Sequence, residues 1–140
     1  VRANGWSARR GVPAHVTVLF PYHDTDERNE AAVADLISRF QAFDFELDRV
    51  ERFDDGTTGL RPVPSLPFVD LTAAVWQRWP ERPPYEGLHD EVIPHLTVSD
   101  TAIDVQFDLP IAARAREVTL IEEDEPSGRW TARLHLPLLG

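Results

Sequence analysis

Two short segments of this chain carry the same pair of reactive side chains at the same spacing. His15 and Thr17 lie in "GVPAHVTVLFPY", and His95 and Thr97 lie in "VIPHLTVSD". A proline precedes the histidine in both segments, and apolar residues alternate with the polar ones. Because residues two apart on a strand project to the same face, each imidazole is expected to lie beside a hydroxyl.

These four side chains suit displacement at phosphorus. Imidazole titrates near pH 6.5, so at neutral pH one histidine can be a neutral base while the other is a protonated acid. One ring would take a proton from water and the other would give one to the departing oxygen, while the threonine hydroxyls hold the non-bridging oxygens. Such chemistry needs no metal, and the chain has no compact ligand spacing such as H-E-x-x-H.

Period-two alternation around the motifs predicts the strands that carry them, in "HVTVLF" and "VIPHLTVS". The segments "DFELDRVERF" (44–53) and "TTGLRPV" (57–63) flank an Asp-Gly turn and predict a hairpin, whose prolines favour an edge position for the second strand. A second hairpin is predicted from "REVTLIEE" and "RWTARLHLPL", joined by a turn at "EPSG". We expect "IDVQFDLP" to be extended or irregular.

Helical spacing of apolar residues predicts two amphipathic helices, "EAAVADLISRFQAF" (30–43) and "PFVDLTAAVWQRW" (67–79). Trp76 and Trp79 belong to the apolar stripe of the second helix and are expected in the core. The proline-rich "PERPPYEGLHDE" is predicted to be a loop. This order of elements indicates an α+β domain with an antiparallel sheet, in which the two motif strands are partners at the centre.

Charge and composition limit the classes of partner. The 140 residues include 24 acidic and 14 basic side chains, a formal net charge of −10, which opposes an extended nucleic-acid surface. There is no cysteine, and no apolar run approaches the roughly 20 residues of a membrane helix. With no secretory leader recognisable, we expect a cytoplasmic monomer that acts on a small partner.

Four further side chains are candidate substrate contacts. Tyr22 and Tyr85 could stack on a base, with packing as the alternative role. Arg9 and Arg10 could supply positive charge to a phosphate, with a solvated loop pair as the alternative. The remaining histidines are expected to be solvated: His23 and His89 in loops, and His135 facing outward on the last strand. For His89, six residues before the second motif, the alternative is a position lining the cleft.

The motifs "HVTV" and "HLTV" in one chain of this size resemble the signature of the 2H phosphoesterase superfamily, and the chain is similar to its bacterial 2′-5′ RNA ligase-like (LigT-like) branch. The context "GVPAHVTVLFPY", the approach "PPYEGLHDEVIPHLTV" and the closing "GRW…LPL" hairpin extend the similarity over nearly the whole chain. The resemblance implies one domain over 1–140, a bilobal α+β fold in which antiparallel sheets form a central cleft, and pseudo-twofold symmetry.

The same resemblance implies hydrolysis or transfer at a cyclic phosphate or a 2′-5′ phosphodiester of a small nucleotide or RNA end, without a cofactor. His15 and His95 would be the acid and base, in an order that stays open, and Thr17 and Thr97 would bind the phosphate oxygens. Two departures concern the periphery. Only "VRANGWSARR" is available for a strand before the first motif, and "DTAIDVQFDLP" is too short for the helix that usually follows the second. A nucleotide-binding module that uses the same cleft without turnover is the alternative function.

Overall fold

A computed structural model of the chain describes residues 14–20, 27–87, 93–99, 101–104, 106–124 and 126–140. Within these ranges the order is α1 (Glu27–Ile37), β1 (Phe43–Arg52), β2 (Thr58–Val63), α2 (Leu66–Arg78), a 3₁₀ turn (Pro84–Gly87), β3 (Leu96–Ser99), β4 (Ile111–Ala115), β5 (Glu117–Asp124) and β6 (Arg129–Pro137). The mixed α+β class expected from the sequence is confirmed.

The four strands β1, β2, β3 and β4 form one antiparallel sheet in the order β3-β2-β1-β4. β5 and β6 pair in a separate hairpin. Both predicted hairpins are therefore confirmed. The turn between β1 and β2 depends on Gly56, whose φ of 92° suits a residue without a Cβ, and on Asp55, whose carboxylate accepts the Thr57 amide at 2.9 Å.

The structure corrects two strand predictions and adds one strand that was not predicted. β2 lies inside the sheet, between β1 and β3. The sheet tolerates Pro62 there because β3 pairs with Thr58–Leu60 of β2, and Pro62 faces β1 alone. β4 was not predicted, since "IAARA" is short and lacks the β-branched run typical of strands. The segment 14–20 forms only an isolated bridge at the outer side of β3, so the motif segments are neighbours at the edge of the sheet rather than at its centre.

The helices lie close to their predicted positions, with two differences. α1 starts and ends earlier than expected, because the chain beyond Ile37 turns away to pair with the C-terminal segment: Ala42 donates its amide to the Leu139 carbonyl, and Leu139 donates to Phe40. In α2, Trp79 is buried as predicted, but Trp76 is 44% exposed, so that prediction is wrong.

Two clusters of buried side chains support the fold. One joins both helices to the β5–β6 hairpin through Val33, Ile37, Leu71, Val75, Trp79, Leu136 and Leu138. The other backs the four-stranded sheet with Leu47, Leu60, Leu96 and Val98, and Ile103, Phe107, Leu109 and Ile111 pack against it. No helix or strand occurs in the described residues 101–104 and 106–110, in agreement with the irregular segment expected there. The division into two symmetric lobes stays a prediction.

Candidate active site

A single antiparallel bridge joins the two motifs at their central residues. It pairs Val16 with Leu96, the residues between histidine and threonine in each motif. Antiparallel pairing at this point sets His15 across from Thr97 and Thr17 across from His95. The two motifs are therefore related by a local twofold axis through the Val16–Leu96 bridge.

The apolar residues of the motifs show which side of the sheet carries the polar ones. Leu96 and Val98 are buried in the cluster behind the sheet, and Val16 packs against the same cluster. Alternation directs the intervening side chains to the opposite side. We call that side the motif face; it carries His15, Thr17, His95 and Thr97, all partly accessible to solvent.

His95 is held from three directions. Its Nδ1 lies 2.7 Å from the carbonyl oxygen of Ile93, and this contact assigns the proton to Nδ1 and the free lone pair to Nε2. The Phe53 ring lies 4.5 Å from the imidazole, centroid to centroid. Gly59 on β2 packs so closely that a Cβ there would meet His95 Cδ2 at 3.2 Å and the Leu96 carbonyl oxygen at 3.2 Å.

These surroundings lower the pKa of His95 below the ordinary imidazole value of 6.5. Burial is the main cause because it penalises the charged ring, and the electrostatic influence of Arg61 and of His15 lowers the pKa as well. The hydrogen bond to Ile93 and the carboxylate of Asp55 oppose the shift. The net result favours the neutral ring, with Nε2 able to accept a proton.

The sequence motifs did not identify Phe53, Gly59 and Arg61 as neighbours of the site. A usable signal existed for Gly59, since a glycine within a strand pattern indicates close approach by another group. No such sequence signal existed for Phe53 and Arg61, because their nearness to His95 depends on the register of β1, β2 and β3.

Among the other candidates, the structure describes the side chain of His135 alone. Tyr22, Arg9, Arg10, His23 and His89 lie outside the described residues. Tyr85 is part of the 3₁₀ turn, and its side chain is likewise outside them. His135 is confirmed as outward-facing: its side chain is 61% exposed and contacts the Glu117 carboxylate at 3.0 Å.

Two structural features are absent from the described ranges. His, Asp and Glu side chains nowhere gather there in a group of three or more that could hold a metal ion. Neither described helix has the length and apolar character needed to cross a bilayer.

Comparison with known proteins gives one family and a consistent set of structures. The model of the 2′-5′ RNA ligase superfamily matches residues 1–137. No curated protein sequence matches significantly. Escherichia coli LigT complexed with 3′-AMP superposes with a TM-score of 0.66 at 17% identity, over 91% of this chain and 78% of LigT.

Two further structures have the same fold. LigT complexed with NADP⁺ matches at a TM-score of 0.64 and 16% identity, over 99% of this chain and 81% of LigT. A Thermus thermophilus protein, TT0787, matches at 0.62 and 16% identity, over 91% of this chain and 79% of that protein. At identities of 16–17%, these structural matches establish a shared fold.

Proposed function

The chain belongs to the 2′-5′ RNA ligase superfamily, and on this premise we propose that it is a metal-independent phosphoesterase. Its substrate is a cyclic phosphate or a 2′-5′ phosphodiester of a small nucleotide or an RNA end. The observation that carries the proposal is the Val16–Leu96 bridge, because it brings two His-x-Thr motifs together with their polar residues on one side. A binding module would not require an acid and a base.

In the proposed reaction His95 is the general base. Its lowered pKa favours the neutral ring, and its Nδ1 proton is engaged by Ile93, so Nε2 accepts a proton from the attacking water. The water oxygen bonds to phosphorus as the bond to the leaving ribose oxygen breaks. His15 protonates that oxygen, which leaves a phosphomonoester and a free hydroxyl.

Thr17 and Thr97 complete this arrangement as hydrogen-bond donors to the non-bridging phosphate oxygens. Each lies across the bridge from the histidine of the other motif. Donors fixed in advance stabilise the charge that develops on these oxygens in the transition state. They therefore stabilise the transition state more than the bound substrate, and kcat rises. The LigT structures with 3′-AMP and with NADP⁺ support a nucleotide as the ligand class.

A substrate screen tests the proposal. Purified protein is incubated with 2′,3′-cyclic mononucleotides, 2′-5′-linked dinucleotides and ADP-ribose cyclic phosphate, and both turnover and binding are measured. We expect turnover of at least one class. A His15→Ala/His95→Ala double variant, purified identically, controls for contaminating nuclease. Binding of these compounds without turnover in any class would contradict the proposal and favour a nucleotide-binding module.

A further inference from the structure

Arg61 lies beside His95 on the motif face. In the β2–β3 ladder, Gly59 pairs with Thr97 and Leu60 with Leu96, so the next position of β2 approaches His95. Alternation directs Arg61 to the same side as Gly59, which packs on the His95 ring. The effect of its charge on the pKa of His95 agrees with this nearness.

The guanidinium of Arg61 has hydrogen-bonding capacity to spare. Its Nε is buried and has no hydrogen-bond partner in the described part of the chain. Its Nη1 approaches the Glu51 carboxylate at 3.6 Å, longer than the 2.7–3.2 Å typical of an N–H···O bond. The Arg61 side chain keeps 19% of its surface exposed, so the guanidinium is open to a ligand. A donor without an acceptor is costly, so an anion that supplies an acceptor to this guanidinium would stabilise the site.

The neighbour of Arg61 on β1 is a second arginine. Arg49 lies directly opposite Arg61 in the β1–β2 ladder. Like charges that face each other across two strands destabilise a sheet, and the long contact with Glu51 offsets this only in part. An anion held at Arg61 would relieve the repulsion.

We propose that Arg61 is an anion-binding residue of the site, whose guanidinium holds a negatively charged phosphate oxygen of the substrate. This inference deepens the proposed function and rests on it. Arginine suits the role because its planar donor fork matches phosphate and stays charged at any relevant pH. In a chain with a net charge of −10, it concentrates positive charge beside the two histidines.

Inorganic phosphate is the probe that tests the role of Arg61 without requiring turnover. In the wild-type protein, phosphate should shift the NMR signal of the Arg61 Nε–H, assigned with Arg61→Lys, together with the His95 ring signals. Arg61→Gln should weaken phosphate binding at least tenfold in calorimetry. Arg61→Lys should give an intermediate affinity, because it keeps the charge and loses the fork.

Turnover provides the second readout. On the best substrate of the screen, Arg61→Gln should lower kcat/KM by about 10²-fold, the scale of one lost donor to a transition-state oxygen, and added guanidinium chloride should restore part of it. Arg114→Gln is the matched control, because this arginine on β4 pairs with the exposed Asp44 of β1 at 2.8 Å. It should change neither readout.

The outcomes separate this inference from the function on which it rests. Phosphate that perturbs His95 but leaves the Arg61 Nε–H signal unchanged would overturn the role of Arg61, and this result needs no folded variant. Wild-type kcat/KM in Arg61→Gln would do the same while the phosphoesterase stands. Phosphate binding that depends on Arg61, without turnover of any substrate, would support the anion site and contradict the phosphoesterase.

Discussion

His95 is the residue whose surroundings say most about the chemistry. Its ring is fixed by a backbone acceptor, an aromatic neighbour and the bare backbone of Gly59. The motif predicted that His15, Thr17 and Thr97 would accompany it, and the bridge brings the two motif segments together. Their catalytic roles stay predictions. The neighbours Phe53 and Arg61 were out of reach of sequence reasoning, because nothing local links them to position 95.

The charges around His95 predict opposite shifts in two variants. Asp55 raises its pKa, whereas Arg61 and His15 lower it. Asp55→Asn should therefore lower the pKa of His95 further, and Arg61→Gln should raise it toward 6.5. NMR titration of the ring protons measures both. Shifts of the same sign in the two variants would contradict the electrostatic description.

The acidic limb of the pH–rate profile should follow these pKa shifts. A general base works only when neutral, so activity should extend below pH 6.5 in the wild type and decline as His95 is protonated. The limb should move to higher pH in Arg61→Gln and to lower pH in Asp55→Asn. A limb that stays in place while the ring titration moves would exclude His95 as the base.

β2 is the element that supports the site, since it pairs with both β1 and β3 and touches His95 through its backbone. Leu60 at its centre is fully buried in the cluster behind the sheet. The face of β2 that carries Leu60 holds β3 in place, because Leu60 packs in one cluster with Leu96 and Val98. The opposite face of β2 carries Gly59 and Arg61.

A side chain at Gly59 should displace the His95 ring. Gly59→Ala adds a Cβ at 3.2 Å from two atoms, so the ring or the strand must shift by a few tenths of an ångström. We expect kcat to fall while KM changes little, with a larger effect in Gly59→Val, where overpacking should cost about 1–3 kcal/mol of unfolding free energy.

Ala112→Val, at an exposed position of β4, is the control for Gly59 and should retain wild-type kinetics. Unchanged kcat in both Gly59 variants would show that the close packing does not position His95.

Sequence patterns predicted the elements wherever one periodicity dominated. The stripe of α2 is set by Phe68, Thr72, Val75 and Trp79, all buried. Trp76 lies about 80° around the helix from Phe68, at the border of the stripe. Its apolar character therefore did not predict its burial correctly. β4 and the inner position of β2 depend on pairing between distant segments, which local patterns do not encode.

At the scale of the whole molecule, an acidic chain carries the proposed anion-binding residue, Arg61, near His95. The net charge of −10 disfavours a long phosphate backbone, whereas Arg61 and the two histidines suit a single phosphate group. The proposed substrates, small nucleotides and RNA ends, are consistent with this distribution. The family model, which matches residues 1–137, covers both motifs and the elements between them.

Activity should survive chelation. The proton transfers are assigned to His15 and His95, so no step requires a metal-bound water. Turnover of the best substrate should therefore be the same before and after dialysis against EDTA, with a metal-dependent phosphodiesterase treated in parallel to verify the chelation. Loss of turnover that a divalent ion restores would contradict the assignment.

The most direct test of the paired-histidine site is kcat/KM on the best substrate for wild type, His15→Ala, His95→Ala and the double variant. Each single change should cost at least the roughly 10²-fold attributed to one general catalyst, and the double variant should lose less than the product of the two, because the two rings act as a unit. Near-wild-type kcat/KM in both single variants would contradict the proposed catalysis and leave a site that only binds.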